Sequence, residues 1–264
     1  MSNDSENIGR FVWYELMTSD PDAAKSFYQA VIGWGLQDWE TPEGAPAYSM
    51  WTVGERPIGG VMPLPEEAKA AGAPPHWLAN VHVEDVDRAV AKAKELGGSI
   101  LHGPEDIPKV GRFALIQDPQ GGILSALKTS EAQPPVMQPG QGVFTWNELN
   151  TTDGAAAEEF YVALFGLAPT KAEDMGPELG LYRMFESGSG ASRGGISEMA
   201  KLKGTHPSWL YYVMVSDLDA TVAKVAEHGG QVVNGPMEVP GGDRVAQCLD
   251  PQGAAFALHE AAKG

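Results

Sequence analysis

The chain has 264 residues, a formal net charge of −17 and a pI of about 4.6. This acidic balance repels phosphate backbones and anionic lipid surfaces, and no apolar run is long enough to span a bilayer, so neither nucleic acid nor membrane is an expected partner. The one cysteine, Cys248, excludes an internal disulfide and, with no signal-peptide pattern at the start, predicts a cytoplasmic protein.

The first predicted unit begins with a strand over residues 10–18, in which Val12, Tyr14 and Leu16 share one face. Asp20 is the expected N-cap of a helix, because proline and an acidic residue follow it, and Gly33 ends that helix. Three strands complete the unit, near residue 36, at 48–53 and at 58–63. The pattern predicts a strand–helix–strand–strand–strand unit.

A second unit of the same kind follows the Pro/Ala/Glu-rich segment 63–75. Its strand over residues 77–83 leads to a helix that Asp85 should cap. Three more strands are expected at 99–101, 112–117 and 122–128, and the "DPQG" between the last two predicts a hairpin turn.

The second half of the chain repeats the first. "FVWYELMTSDPDAAKSFYQAVIGW" returns as "FTWNELNTTDGAAAEEFYVALFG", and "QDPQGGILSAL" returns as "LDPQGAAFALH", with equivalent helix caps at Asp153 and Asp217. A repeat kept in register over the chain predicts two copies of one fold. We therefore predict module 1 over residues 1–128, a linker over 129–141 and module 2 over 142–264, which together form a self-sufficient pseudo-dimer or a weak homodimer.

The order of elements, the "FYxxxxG" end of the first helix and the late "DPxG" hairpin resemble the vicinal oxygen chelate superfamily. That superfamily includes glyoxalase I, extradiol dioxygenases, and bleomycin- and fosfomycin-resistance proteins. The resemblance implies an α+β fold of tandem glyoxalase-like modules, in which four βαβββ units form curved mixed sheets around concave pockets. Because the fold hosts several chemistries, function depends on what the pocket holds.

The resemblance also implies positions for a divalent metal, and these positions do not carry ligands here. They map to Trp13, Met62, Leu78 and Ser125 in module 1, and to Trp146, Ser197, Leu210 and Ala257 in module 2. Tryptophan, leucine and alanine cannot bind a hard or borderline cation, which takes carboxylate oxygen or imidazole. No cofactor is expected, although a metal at a non-standard site, built for example from Glu15, His82, Glu148 and His259, stays open.

Both copies carry Trp-x-Glu in the first strand, as Trp13/Glu15 and Trp146/Glu148. Residues two apart on a strand share a face, so each pair lies side by side. A glutamate beside an indole and away from water should have a raised pKa, which predicts acid/base or ligand-binding roles for Glu15 and Glu148. One alternative is that the glutamates form structural salt bridges to Arg112 or Arg244. Another is that the tryptophans lie in the core and the glutamates on the surface.

The copies differ on the next strand. Alternation directs Asn80 and His82 to the pocket in copy one, and Tyr212 and Met214 in copy two. His259 is expected on the pocket face of the last strand. With Trp13 and Trp146, these residues form the predicted ligand-binding set, and the two pockets should be unequal. Each histidine could equally be a satisfied structural residue.

Three functions remain open at this point. The first is a glyoxalase- or bleomycin-resistance-like protein that binds a small, partly aromatic or apolar molecule without the family metal. The second is an enzyme with a non-standard site, either a glyoxalase-like lyase or isomerase or a dioxygenase- or hydroxylase-type enzyme. The third is an interaction protein with vestigial pockets. The missing metal ligands favour the first over the second.

Overall fold

The computed structural model describes residues 7–41, 46–177, 180–190 and 192–263. The strands from the first copy are β1 Phe11–Thr18, β2 Gly35–Trp39, β3 Tyr48–Val53, β4 Arg56–Pro63, β5 His76–His82, β6 Ser99–Ile107, β7 Gly111–Gln117 and β8 Ile123–Thr129. Those from the second are β9 Phe144–Asn150, β10 Ala168–Asp174, β11 Leu181–Ser187, β12 Ser192–Ser197, β13 Ser208–Met214, β14 Gln231–Glu238, β15 Arg244–Leu249 and β16 Ala255–Glu260. The helices are α1 Pro21–Val31, α2 Glu66–Ala70, α3 Val86–Glu95, α4 Gly154–Phe165, α5 Met199–Lys203 and α6 Leu218–Glu227.

Each copy forms one eight-stranded sheet. The order is β2-β3-β4-β1-β5-β8-β7-β6 in the first and β10-β11-β12-β9-β13-β16-β15-β14 in the second. Both sheets are mixed, since β1 pairs with β4 in parallel and β5 with β8 in parallel, while the outer strands are antiparallel hairpins. The predicted α+β fold of tandem modules is confirmed. Among the described residues, no helix has the length and hydropathy to cross a bilayer.

Aspartate caps begin the four longer helices, as predicted. Asp20, Asp85, Asp153 and Asp217 each accept a hydrogen bond from the backbone amide three residues on, at 2.9–3.0 Å. Such a cap satisfies one of the amides that a helix start leaves without a partner, and stabilises the helix by about 1 kcal/mol. The repeated aspartates therefore fix where each helix starts.

Two segments are more regular than the sequence suggested. The Pro/Ala/Glu-rich segment 63–75 contains the short helix α2, and β6 continues to Ile107 where the prediction ended it at Leu101. Gly103 and Pro104 usually interrupt a strand, but β6 lies at the edge of its sheet and accommodates them with two shifts in its register to β7.

The chain divides into two compact units that cross the repeat. Unit 1 contains Met1–Val12, Leu78–Val136 and Trp146–Leu210, and unit 2 contains Trp13–Trp77, Met137–Thr145 and Tyr211–Gly264. Helices α3 and α4 pack together in unit 1, and α1 and α6 in unit 2. Each unit thus combines half of one copy with half of the other, whereas the module boundaries predicted above follow the repeat.

A buried tyrosine holds the "DPQG" turn within each unit. In unit 2, Tyr28 donates to Asp250 Oδ2 at 3.2 Å and accepts from Trp77 Nε1 at 2.9 Å. Asp250 Oδ1 accepts two amides of its own turn, from Gln252 and Ala254. Tyr161, Asp118 and Trp209 repeat the arrangement in unit 1. The tyrosine of each "FY" motif therefore binds the aspartate of a "DPQG" turn.

Tyr28→Phe should destabilise the protein by about 2 kcal/mol, because it leaves a buried carboxylate oxygen and a buried indole N–H without partners. Asp250 is buried, and this burial raises the pKa of its carboxyl above the usual range. Urea unfolding measures the loss. Tyr161→Phe makes the same change in unit 1, and a loss under about 0.5 kcal/mol in both variants would contradict a stabilising role for the contact.

Candidate functional site

Trp13 and Glu15 lie side by side on β1, as predicted, and a third residue joins them. Trp13 Nε1 donates to Glu15 Oε2 at 3.2 Å and to the Tyr48 hydroxyl at 3.0 Å. Tyr48, at the start of β3, donates to the same Glu15 oxygen at 3.2 Å. We call Trp13, Glu15 and Tyr48 the copy-one cluster. The whole cluster belongs to unit 2.

The paired glycines of β4 make room for this cluster. Gly60 is the register partner of Glu15, and a Cβ there would overlap the Tyr48 hydroxyl and Glu15 Oε1. A Cβ on Gly59 would overlap the backbone oxygen of Tyr14. The backbones of β1 and β4 therefore approach closely at Gly59, while Gly60 lets two polar side chains meet above the sheet.

The Glu15 carboxyl has one satisfied and one unsatisfied oxygen. Oε2 accepts both hydrogen bonds of the cluster, whereas Oε1 is out of contact with solvent and has no hydrogen-bond partner among the residues that the structure describes. Burial raises the pKa of Glu15 to about 7, although the hydrogen bonds from Tyr48 and Trp13 act to lower it. Near neutral pH this group can therefore gain or lose a proton.

Copy two contains an equivalent cluster of Trp146, Glu148 and Tyr182, here called the copy-two cluster. Trp146 Nε1 donates to the Tyr182 hydroxyl at 2.8 Å, and Tyr182 donates to Glu148 Oε2 at 2.9 Å. A Cβ on Gly195 would overlap the Tyr182 ring. The cluster belongs to unit 1. The same glycine-supported geometry therefore occurs once in each unit.

The two clusters differ in what faces the second carboxyl oxygen. Asn150 Nδ2 donates to Glu148 Oε1 at 3.5 Å and is itself held by Ser197 at 2.8 Å. In copy one, Met17 and Met62 occupy the equivalent positions and are register partners on β1 and β4. A thioether cannot donate a hydrogen bond, so the unsatisfied oxygen of Glu15 follows from this replacement.

The salt bridges considered for the two glutamates, to Arg112 or Arg244, are not formed among the described residues. Arg112 bonds Asp87 and Asp106, and Arg244 bonds Asp219 and Glu260. These arginines tie a strand to the helix before it. The carboxyls of Glu15 and Glu148 are held by tyrosine, and no arginine of the described chain forms an ion pair with Glu15.

Asn80 and His82 are buried on β5, in unit 1. Asn80 pairs in register with Ser125, and His82 Nδ1 lies 3.4 Å from Gln133 Nε2, a donor that also bonds Thr129. His82 is only 1% exposed, which favours the satisfied structural histidine that the sequence left open. A ligand role for either residue stays a prediction.

Tyr212 and Met214 lie on β13, in unit 2. Tyr212 is buried and its hydroxyl accepts from Gln247 at 3.1 Å. Met214 is half-buried and, with Gly140 and Val215 among its neighbours, lines a cavity of about 230 Å³. Asn80 and His82 therefore belong to the unit that holds the Trp-x-Glu of copy two, and Tyr212 and Met214 belong to the unit that holds the Trp-x-Glu of copy one.

His259 is the most constrained of the predicted residues. Its Nδ1 lies 2.8 Å from Thr145 Oγ1, and its Nε2 lies 2.8 Å from Asp243 Oδ2. Both partners belong to unit 2. The ring therefore has a partner at each nitrogen, an arrangement that the sequence did not predict.

The side chains present do not fit the metal of the related enzymes. Across residues 7–41, 46–177, 180–190 and 192–263, no three His, Cys, Asp or Glu side chains are grouped as a metal ion requires. Glu15 is surrounded by tryptophan and tyrosine, neither of which coordinates a hard cation at neutral pH. The non-standard set of Glu15, His82, Glu148 and His259 is likewise not assembled in this part of the chain.

Tyr48 and Tyr182 were absent from the predicted set. A signal for them exists in the repeat, since "YSMW" at 48–51 returns as "YRMF" at 182–185. Strand propensity accounts for a tyrosine in such a run, so the pattern alone does not predict that the hydroxyl reaches a glutamate on another strand.

A sequence model of the "Glyoxalase/Bleomycin resistance protein/Dioxygenase superfamily" matches residues 10–125 and 143–258. The chain belongs to this superfamily. Both matches coincide with the repeated copies, so each copy is one superfamily module in sequence.

Two relatives of this superfamily protein match nearly its full length. "Putative glyoxylase CFP32" of Mycobacterium bovis is 35% identical over 93% of the chain and 92% of the relative. "Anthracycline biosynthesis protein DauV" of Streptomyces sp. (strain C5) is 28% identical over 96% of the chain and 93% of the relative.

Solved structures support the superfamily fold. A mutant of 4-hydroxymandelate synthase from Streptomyces coelicolor matches with a TM-score of 0.67 and 13% identity, covering 98% of this chain and 94% of that one. A Mn(II)-bound glyoxalase from Novosphingobium aromaticivorans matches with a TM-score of 0.61 and 16% identity, covering 97% and 83%. At these identities the likeness concerns the fold alone.

Proposed function

We propose that this superfamily protein binds a small, partly aromatic or apolar molecule at the copy-one cluster, without the family metal. The supporting observation is the Glu15 carboxyl, which has an unsatisfied Oε1 in an apolar setting. A buried polar atom without a partner costs about 1–3 kcal/mol, and a ligand that donates a hydrogen bond to it recovers part of that cost. Oε1 is thus a binding point for a ligand that displaces the side chains covering it.

The groups around Glu15 suit a flat, largely apolar ligand. The Trp13 indole and the Tyr48 ring provide aromatic faces, and Met17 and Met62 add adaptable thioether side chains on the neighbouring strands. With a pKa of about 7, Glu15 either donates to a ligand carbonyl or accepts from a ligand hydroxyl. In copy two, Asn150 already occupies the corresponding oxygen, so we propose that copy one carries the main site.

An enzyme is the alternative, and the pKa of Glu15 favours it over a purely structural glutamate. A carboxyl that titrates near neutral pH is matched to general acid/base catalysis, with Glu148 as its counterpart in copy two. The reaction would be of the glyoxalase-like lyase or isomerase type, as the name of the Mycobacterium bovis relative suggests, or of the dioxygenase or hydroxylase type. An interaction protein with vestigial pockets is the third candidate, and it predicts no effect of Glu15 on ligand binding.

Glu15→Gln should weaken binding of an anthracycline by roughly tenfold or more, because the amide cannot reproduce both protonation states of the carboxyl. An anthracycline is a suitable probe because it is flat, aromatic and hydroxylated, and because one relative takes part in anthracycline biosynthesis. Quenching of its own fluorescence gives the dissociation constant.

Glu148→Gln is the matched control, since it makes the same change in the copy-two cluster, and it should alter binding by less than about threefold. Wild-type binding should survive treatment with a chelator. Equal affinities for Glu15→Gln and wild type, with both folded, would reject the copy-one cluster as the site. Loss of binding after chelation would reject the metal-free part of the proposal.

A further inference from the structure

Unit 2 contains a line of three polar side chains that ends at a hydroxyl. Thr145, at the start of β9, lies 2.8 Å from His259 Nδ1, and His259 Nε2 lies 2.8 Å from Asp243 Oδ2. Asp243 Oδ1 accepts the backbone amide of Ala262 at 2.8 Å, which fixes the carboxylate. All four residues belong to one compact unit.

The direction of these hydrogen bonds follows from Asp243. Burial acts to raise its pKa, but the Ala262 amide and His259 outweigh that effect, and the net pKa lies below the usual range. Asp243 is therefore an anionic acceptor, and a neutral His259 carries its proton on Nε2. Nδ1 is then free to accept, so the Thr145 hydroxyl is the donor.

The scaffold does not require this arrangement. At the equivalent positions copy one has Val12, Leu127 and Gly111, which cannot form it, yet both copies build the same eight-stranded sheet. The line is thus a feature of copy two alone. Thr145 and His259 are both half-buried, with 16% of the His259 side chain exposed, so a small molecule can reach them.

A hydroxyl bonded to a histidine that a carboxylate orients is the arrangement by which proteins activate a weak nucleophile. We propose that the Thr145–His259–Asp243 line makes Thr145 a nucleophile for small activated esters, at a site distinct from the copy-one cluster. Met214 is the register neighbour of His259 on β13.

In the proposed step, Thr145 Oγ1 forms a bond to the acyl carbon while its proton passes to His259 Nδ1. The bond from the acyl carbon to the leaving oxygen breaks, and the leaving group takes the proton from the imidazolium. Water then attacks the threonyl ester by the same route, which releases the carboxylic acid and restores the hydroxyl. Asp243 stays ionised throughout and stabilises the imidazolium.

The test is acetylation of the full chain by para-nitrophenyl acetate, followed by peptide mass mapping and by the rate of nitrophenolate release. In samples quenched with acid during turnover, wild type should carry one acetyl group on Thr145, which water later releases. Thr145→Val and His259→Leu install the copy-one residues and should lower the rate by roughly a hundredfold, whereas Thr145→Ser should keep it. His259→Gln keeps a hydrogen-bonding side chain but removes the base, so it should lose the reaction. It therefore serves as the test if the other variants fold poorly.

Acetyl groups on His259 or on surface lysines, or an unchanged rate in folded Thr145→Val, would overturn the proposal and leave the line as a structural tie for the end of the chain. Because the probe is an ester and the readout is a covalent bond to Thr145, this outcome is independent of whether an anthracycline binds at Glu15.

Discussion

Gly59→Ala should destabilise the protein by about 3 kcal/mol or more, since the new methyl group has no space between two central strands. The added Cβ would overlap the carbonyl oxygen of Tyr14 on the parallel neighbour β1. Backbone atoms cannot rotate away as the end of a side chain can, so β1 and β4 must separate and lose hydrogen bonds. Gly194→Ala, opposite the Asn147 carbonyl in the second sheet, should have a comparable effect.

Gly140→Ala is the control for this prediction. Its Cβ would come no closer than 4.0 Å to Gln138 O, and the residue has no positive φ, so the change should be neutral within about 0.5 kcal/mol. Urea unfolding of the three variants and wild type gives the comparison. If Gly59→Ala unfolds within about 1 kcal/mol of wild type, the close approach of the two strands is not a constraint on the fold.

The periodic part of the fold could be predicted because its signals are local. The four capping aspartates, the "DPQG" turns and the Val12–Tyr14–Leu16 alternation each depend on neighbours within a few residues. The adjacent glycines Gly59 and Gly60 are a further local signal, because paired glycines in a strand indicate a bulge or a close approach. Comparison of two copies strengthened each of these signals, since a chance pattern is seldom repeated in register.

The non-local part could not be predicted. Tyr28 bonds an aspartate that lies 222 residues further along the chain, and Tyr161 bonds one 43 residues before it. The repeat does not indicate whether the aspartate that each tyrosine bonds comes from the same copy or from the other copy. The compact units that join halves of both copies were therefore not predicted. The predicted end of β6 was also wrong, because the sequence does not show that β6 is an edge strand. An edge strand tolerates a proline that a central strand would not.

The sequence predicted the two Trp–Glu pairs of the candidate site, but it did not predict how the two clusters differ. Trp-x-Glu gave the shared face of β1, but the distinction between Glu15 and Glu148 depends on whether Met17 or Asn150 follows two residues later. The sequence shows this difference, but its effect on the carboxyl depends on whether the Asn150 side chain points toward Glu148. The third member, Tyr48, comes from a strand whose register to β1 the sequence does not specify.

The free energy of unfolding should fall as pH rises from about 5 to 8, and Glu15 should cause about 2–3 kcal/mol of this fall. Burial raises its pKa to about 7 in the folded protein, well above the value near 4.3 expected of an unfolded chain. Below the unfolded pKa both states are protonated and the stability is fully present. As pH rises through the folded pKa, the native state must either hold an ionised Glu15 carboxylate in its buried setting or unfold.

Glu15→Gln mimics the protonated carboxyl at every pH, so it should exceed wild-type stability by about 1 kcal/mol near pH 5 and by about 3–4 kcal/mol near pH 8. Urea unfolding of both proteins across this range isolates the effect, because every other titrating group is common to the two. Glu148→Gln tests whether the effect belongs to copy one, since Asn150 donates to the carboxyl in copy two. A constant difference between Glu15→Gln and wild type from pH 5 to 8 would mean that Glu15 does not titrate in this range, and acid/base chemistry at Glu15 would lose its physical basis.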